Sequence, residues 1–302
     1  MNGISCTEIL RYLCNELHMD SFQVQNTMRG VICLDPEDPE IKIVAEVLVN
    51  GETKILKVTT ARTTQILASR FRFVQCLGEN GMGIPARTPV DGQECCIIRL
   101  LDMDAHVVLE TAVSGEPCCS WQQLARLLAQ IHRISWHNGF QIGTDWQIGI
   151  LLPQAHLEEQ IGKLQGRISG THEELLQRIR VRNQWLMDRK SHWRKGAIQG
   201  DLTYDNVVQT DQGPVILDFD QASDGCYAEE AAAVCACCYD GRQDFVRHSE
   251  DFFRIYTEGF PLLPEELEDV YPLAQLAADI RQIHKTPSNQ RREHWDGTRK
   301  TL

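Results

Sequence analysis

The chain has 302 residues, 42% of them hydrophobic, which is enough for the cores of two domains or of a bilobal fold and too much for a disordered chain. Thirty Lys and Arg against 42 Asp and Glu leave a formal charge of -12, which repels phosphate backbones and anionic lipid and favours cationic small molecules. Nucleic acid is therefore not expected as a partner, and no apolar run approaches the ~20 residues that a membrane span needs.

Ser5 and Glu8 form an S-x-x-E capping box, and Ile9, Leu10, Leu13 and Leu17 follow on one stripe, which predicts a short amphipathic helix. From Ile41 the pattern changes to period two, with Ile41, Ile43, Ala45, Val47 and Val49 on one face. Asn50-Gly51 then precedes a second alternating run from Thr53 to Thr59. A type I′ turn needs positive φ at both central residues, so an Asn-Gly here predicts a hairpin. A helical segment over 63–77 ends at Gly81, Gly83 and Pro85, and apolar strands follow at Cys95 to Leu101 and His106 to Thr111. After the turn-rich Val113-Ser-Gly-Glu-Pro117 the character becomes helical, with helices expected at 120–135, 157–164, 171–193 and beyond Ala228. The expected organisation is a β-rich lobe over residues 1–112 and a mostly helical lobe over 113–302, without internal repeats.

The twelve cysteines include the neighbours Cys95-Cys96, Cys118-Cys119 and Cys237-Cys238, and most lie in apolar runs. That is no disulfide framework. Met1 to Leu13 also lacks the charged and apolar regions of a secretory leader, so a reducing, cytoplasmic setting is expected. Cys235 and Cys238 have C-x-x-C spacing without a second pair, and they read as small apolar residues packed on a helix.

One strand-like interruption breaks the helical half. Ala197-Ile198 leads into the polar loop Gln199-Gly-Asp-Leu-Thr-Tyr-Asp-Asn206; Val207-Val208 and Val215-Ile-Leu217 flank a turn at 210–213, and Asp218-Phe-Asp220 follows. Asp201, Asn206 and Asp218 thus fall near one sheet edge. Two carboxylates and an amide are hard oxygen ligands of the kind that hold Mg²⁺, while a carboxylate left free of metal can orient a hydroxyl and accept its proton.

Gly200-Asp201-Leu202-Thr-Tyr-Asp-Asn206, with Asp218-Phe-Asp220 twelve residues on, resembles the catalytic and metal-binding loops of the aminoglycoside phosphotransferase and choline kinase-like family. The resemblance implies an α+β, bilobal protein-kinase-like fold, with a small antiparallel N-lobe sheet, one main N-lobe helix and a larger helical C-lobe. It implies Asp201 as catalytic base, Asn206 and Asp218 as Mg²⁺ ligands, and Asp220 as an auxiliary carboxylate. Alternation puts Lys54 on the face of Leu56 and Val58 and Lys57 on that of Ile55, which leaves either as the phosphate lysine. The family's lysine directly follows two apolar residues, which implies Lys57. Val107 to Val113 resembles the strand entering the interlobe hinge, where the backbone of Glu110 and Ala112 would bind the purine of ATP or GTP. His132 matches a frequent family pattern and reads as a buried structural histidine. Glu229 and Glu230 stand where the family often has an Asp supporting the active site from a helix N-terminus.

Three departures stand out. Gln199 takes the place of a usual His. Asp35-Pro-Glu-Asp-Pro-Glu40 occupies the place of a small-residue turn over the phosphates and would repel an anion. The helix after Lys57 carries Gln65, Ser69 and Arg70 where a glutamate partner is expected, so the lysine must pair elsewhere or not at all.

The implied function is a small-molecule kinase that moves the γ-phosphoryl of ATP or GTP, with Mg²⁺, to a hydroxyl of an aminoglycoside-like, choline-like or sugar acceptor. From Asp224 to Val270 there are twelve Asp and Glu against three Arg, which would attract a cationic acceptor or else form a solvated face. The helices of 136–195, with Trp146, Trp185 and Trp193, are expected to wall the acceptor. The departures motivate an alternative, a nucleotide-binding or sensing protein with little phosphotransfer. Monomer and homodimer both stay open.

Overall fold

The computed structural model describes residues 6–16, 22–33, 40–60, 64–89, 93, 95–100, 103–118, 120–144, 149–165, 173–239, 241 and 244–284. The chain divides into two compact units, Met1–Cys118 with Asp205–Asp218, and Cys119–Tyr204 with Phe219–Leu302.

The first unit opens with helix α1 (Cys6–Glu16), followed by strands β1 (Phe22–Cys33), β2 (Glu40–Val49) and β3 (Glu52–Thr60), helix α2 (Thr64–Glu79), and strands β4 (Arg87–Thr88), β5 (Cys96–Leu100), β6 (Met103–Thr111) and β7 (Glu116–Pro117). An antiparallel sheet runs in the order β1-β2-β3-β6-β4, with β5 also paired to β6. The expected hairpin turn is present: Asn50 has φ 51° and Gly51 φ 82°, and Val49 faces Glu52 across it. Because side chains alternate, the register sets one face in line across three strands, with Ile43 opposite Val58 and Val58 opposite Val107. That face is buried together with Ile9, Leu10 and Leu13 of α1. Each such side chain contributes roughly 1.5–3 kcal/mol by leaving water. Lys57 stands on the other face, and Lys54 on the core-side alternation, where it meets Glu52 at 2.9 Å.

Strand β1 was not legible in the sequence. Its pairing with β2 shifts register between Val24 and Asn26 and again between Thr27 and Arg29, and each irregularity resets the alternation that would reveal a strand. The acidic segment 35–39 lies outside the described residues, as does Trp146.

Strands β8 (Lys195–Ile198), β9 (Val207–Thr210), β10 (Gly213–Ile216) and β11 (Ser223–Cys226) account for the interruption in the helical half. β9 and β10 form a hairpin that belongs to the first unit, where β9 also pairs with β7. Gly83 bridges to Val215, and its carbonyl accepts from Ile216 N at 2.9 Å.

The second unit is built from α3 (Trp121–His137), α4 (Gln154–Gln165), α5 (Glu173–Arg189), α6 (Tyr227–Cys238), α7 (Phe245–Gly259) and α8 (Pro264–His284), with the β8–β11 pair among them. Ser120 caps α3, its hydroxyl accepting from Gln123 N, and Leu124, Leu128 and Ile131 form the buried stripe. Cys235 and Cys238 are buried on α6, and burial pushes the Cys235 thiol well above its ordinary range, so it packs as a small hydrophobe. Among the described residues, no helix is long and apolar enough to cross a membrane.

The hairpin's attachment to the first unit is testable at a glycine. A Cβ at Gly83 would overlap the Pro214 carbonyl, whereas one at Gly162, in the middle of α4, would meet nothing. Gly83→Ala should destabilise by about 1–3 kcal/mol, as overpacking does. Gly162→Ala should stabilise by about 0.5–1 kcal/mol through helix propensity. Urea midpoints of the two variants against wild type check both signs.

Candidate active site

The described site residues fall into two groups. Lys57, Glu110, Ala112, Asn206 and Asp218 belong to the first unit, and Asp201 and Asp220 to the second.

In the first unit, the β9–β10 register pairs Val207 with Ile216, and one step further Leu217 N donates to the Asn206 carbonyl at 2.9 Å. Asn206 and Asp218 therefore leave the open end of one short hairpin from adjacent positions, and both are half-buried. Lys57 Nζ donates to the carbonyl oxygen of Leu217, the residue before Asp218, at 2.6 Å. Lys57 also has a carboxylate partner. It forms an ion pair of 2.8 Å with Glu110 of β6, so the acid missing from the helix is supplied by the sheet. Ala112 is the first residue beyond β6 and is half-buried.

In the second unit, Asp201 follows β8 on the loop of residues 199–203, with its side chain exposed. The loop is held from below by buried polar groups. Gly200 takes φ 87°, and a Cβ there would overlap the backbone of Gln221, so both conformation and space require glycine. Its N–H donates to Glu230 Oε1 at 2.5 Å. Glu230 Oε2 is 2.6 Å from His132 Nε2, and His132 Nδ1 is 2.6 Å from the Tyr256 hydroxyl. Burial pushes the Tyr256 hydroxyl well above its ordinary range, so it remains a phenol beside the imidazole. Gln199 is 1% exposed and its amide oxygen accepts from Asp201 N at 2.8 Å, the structural hydrogen bond that an amide can keep in place of a histidine. Tyr204 closes the loop, its hydroxyl donating to the Cys238 carbonyl at 3.3 Å.

Part of the acidity of 224–270 is used in pairing within the protein, and Glu229, Glu230, Glu266 and Asp269 are buried. Asp224 accepts from Ile142 N at 2.8 Å and Gly143 N at 2.6 Å, and Glu229 from Leu151 N at 2.9 Å. Glu266 pairs with Arg194 at 2.6 Å, and Asp269 takes both Arg189 Nε at 2.6 Å and Trp193 Nε1 at 2.8 Å. Arg189 also meets Glu268, and Arg254 meets Asp251 and Glu258. The cations at 189 and 194 lie outside the acidic segment, so the local count of charges overstated its field. Trp193 is buried, whereas Trp185 is exposed on α5 under the Arg189 guanidinium, 4.8 Å from its ring centre.

Comparison with known proteins agrees with this architecture. The pattern of the phosphotransferase enzyme family matches residues 47–261, more than half of the chain. No curated protein matches the sequence. Among solved structures, a microcompartment-associated aminopropanol kinase superposes with a TM-score of 0.61 at 17% identity, over 93% of this chain and 92% of that one. An amicoumacin kinase in complex with AMP-PNP, Ca²⁺ and Ami gives 0.59 at 14% identity, over 95% and 94%. A choline kinase from Cryptosporidium parvum Iowa II gives 0.53 at 13%, over 96% and 94%. The fold is thus the α+β, protein-kinase-like one. The chain belongs to the phosphotransferase enzyme family and is a phosphotransferase of the small-molecule kinase class.

The acid beside Glu230 in the first turn of α6 holds the backbone at 150–151 and is itself shifted by burial. Burial raises the Glu229 carboxyl above its ordinary 4.5, against the lowering effect of the Leu151 and Ile150 amides. The stability linked to this group is complete below its unfolded-state value and is lost as pH rises through the raised folded value. The unfolding free energy of wild type relative to Glu229→Gln should therefore fall as pH rises above the ordinary carboxylate range, measured by urea unfolding. A difference that stays flat with pH would show that Glu229 titrates normally.

Proposed function

We propose that this phosphotransferase moves the γ-phosphoryl of ATP or GTP to a hydroxyl of a small molecule, with Mg²⁺. The observation that carries the reading is the contact between Lys57 Nζ and the Leu217 carbonyl at 2.6 Å, which brings a cation suited to phosphates beside the turn that bears Asp218. Asn206 and Asp218 would hold the metal. The donor set fits: one amide oxygen and one carboxylate issue from adjacent positions at a hairpin end, and Mg²⁺ usually takes one or two carboxylates and completes its shell with phosphates and water. When bound, the metal neutralises charge on the β- and γ-phosphates.

Asp201 would accept the acceptor's proton as the hydroxyl oxygen forms its bond to the γ-phosphorus and the bond to the β-bridging oxygen breaks, leaving the nucleoside diphosphate. Its exposed side chain and its backbone, held on both sides by Gln199 and Glu230, suit a group that must be accessible yet fixed. Lys57 would steady the phosphates, and the backbone of Glu110 and Ala112 at the end of β6 would take the purine. Catalysis of this kind is mostly positioning and charge stabilisation.

The acceptor is a small hydroxylated molecule. The aminopropanol and choline kinases that share the fold make an amino alcohol the first class to screen. The acidic segment adds less to that choice than its charge count suggests, because Asp224, Glu266 and Asp269 are engaged by backbone amides and arginines. The sensing alternative loses one ground, since Lys57 has a carboxylate partner.

Calorimetric titration of ATP and of GTP, with and without Mg²⁺, tests the donor side. Magnesium-dependent binding to wild type is expected, and Asp218→Asn should abolish that dependence. Absence of binding by either nucleotide would overturn the reading. With an acceptor in hand, Asp201→Asn should lower kcat by about 10²–10⁴-fold while nucleotide binding stays within about twofold. Wild-type turnover in that variant would remove Asp201 from the role of base.

A further inference from the structure

In protein kinases the phosphate lysine is steadied by a glutamate on the neighbouring helix. Here α2 offers no such group: its one acid is Glu79 in the last turn, exposed and bonded to Gln75, while Arg70 and Arg72 add positive charge. The carboxylate comes from the sheet instead. In the β3–β6 ladder Ile55 lies opposite Glu110 and Lys57 opposite Val108, which makes Lys57 and Glu110 diagonal neighbours on one face. Their 2.8 Å ion pair is largely shielded, with 19% and 11% of the two side chains exposed.

We infer that the Glu110 side chain is the positioning residue for Lys57, and that this sheet-borne pair does the work of a helix-borne one. The inference rests on the kinase reading and gives Glu110 a side-chain role beyond any use of its backbone. Two properties follow from the geometry. The partners come from hydrogen-bonded neighbouring strands, so the lysine is set whatever the orientation of α2, and no swing of that helix is needed to assemble the phosphate site. Lys57 also bonds the Leu217 carbonyl, so the constraint passes from Glu110 through the ammonium to the backbone that carries Asp218. Loss of the Glu110 charge should therefore weaken both phosphate binding and the response to Mg²⁺.

Glu110→Gln keeps shape and hydrogen-bonding capacity and removes only the charge. Two measurements on the full chain test it. The first is the acetic anhydride acylation rate of Lys57, read by peptide mass spectrometry, with Lys54 as internal control. An ammonium that loses its carboxylate deprotonates more readily, so Lys57 should acylate about 3–10-fold faster in the variant while Lys54 is unchanged. The second is calorimetric affinity for whichever of ATP or GTP binds wild type. It should fall about tenfold in Glu110→Gln, with a higher Mg²⁺ requirement, and Glu110→Gln should add no further loss in a Lys57→Ala background.

An unchanged Lys57 acylation rate overturns the pairing. Faster acylation with unchanged nucleotide and Mg²⁺ affinity overturns the positioning role, as does an additive loss in the double variant. A wild type that binds neither nucleotide overturns the kinase reading and this role together, an outcome distinct from normal wild-type binding that is insensitive to residue 110.

Discussion

A carboxylate out of water needs a partner for each oxygen, and much of the second unit's active loop hangs on the one at Glu230. Its side chain is 2% exposed, and its two oxygens are assigned to the Gly200 N–H and to His132 Nε2. Removing one of these partners costs about 1–3 kcal/mol, because a buried polar group is left unsatisfied. The loop therefore cannot shift without exposing that cost. His132 is held in turn by Tyr256, so α3, α6 and α7 each contribute one group to a chain of hydrogen bonds ending at the residue before Asp201. A glycine at 200 is the form of backbone that can reach the carboxylate and still pass Gln221.

The same principle explains why the chain's acidity says little about its substrate. The local field of an acidic segment depends on how many of its charges are paired nearby, while the chain's net charge of -12 is unaffected by pairing. In the second unit Asp224, Glu229 and Glu230 close loops onto backbone amides, and Asp269 and Glu266 anchor Arg189 at the end of α5 and Arg194 beyond it. These are structural uses of negative charge. A segment with nine more acids than arginines becomes a set of clamps once cations from elsewhere in the chain are counted in.

What could be read from the sequence follows from how local its cause is. Ile9, Leu10 and Leu13 of the α1 stripe, the Asn50-Gly51 turn and the two strands around it depend on residues a few positions apart and stand as expected, while Ser5 and Leu17 lie outside the described residues. So do the β9–β10 hairpin and the loop before it, where Gly200, Asp201 and Asn206 stand at fixed offsets. β1 escaped because bulges interrupt its period. The partner of Lys57 escaped for another reason: the acid lies not on the following helix but two residues along the facing strand, a relation visible only when register is known. Glu230 and His132 are 98 residues apart, and Glu266 and Arg194 are 72 apart. No local pattern encodes such pairs, although the two acids in the first turn of α6 are a usable signal.

The stretch from Gly200 to Asp220 reads as one motif, yet its energetics belong to two bodies. Asp201 is fixed by buried carboxyl and amide groups of the second unit, whereas Asn206 and Asp218 are fixed by the β9–β10 ladder, by the Gly83 bridge and by Lys57 in the first. Each proposed role thus has support within its own unit: Asp201 draws on the Gln199 amide and, through Gly200, on the buried Glu230 carboxylate, while Asn206 and Asp218 draw on the β9–β10 register and on the Lys57 contact with Leu217.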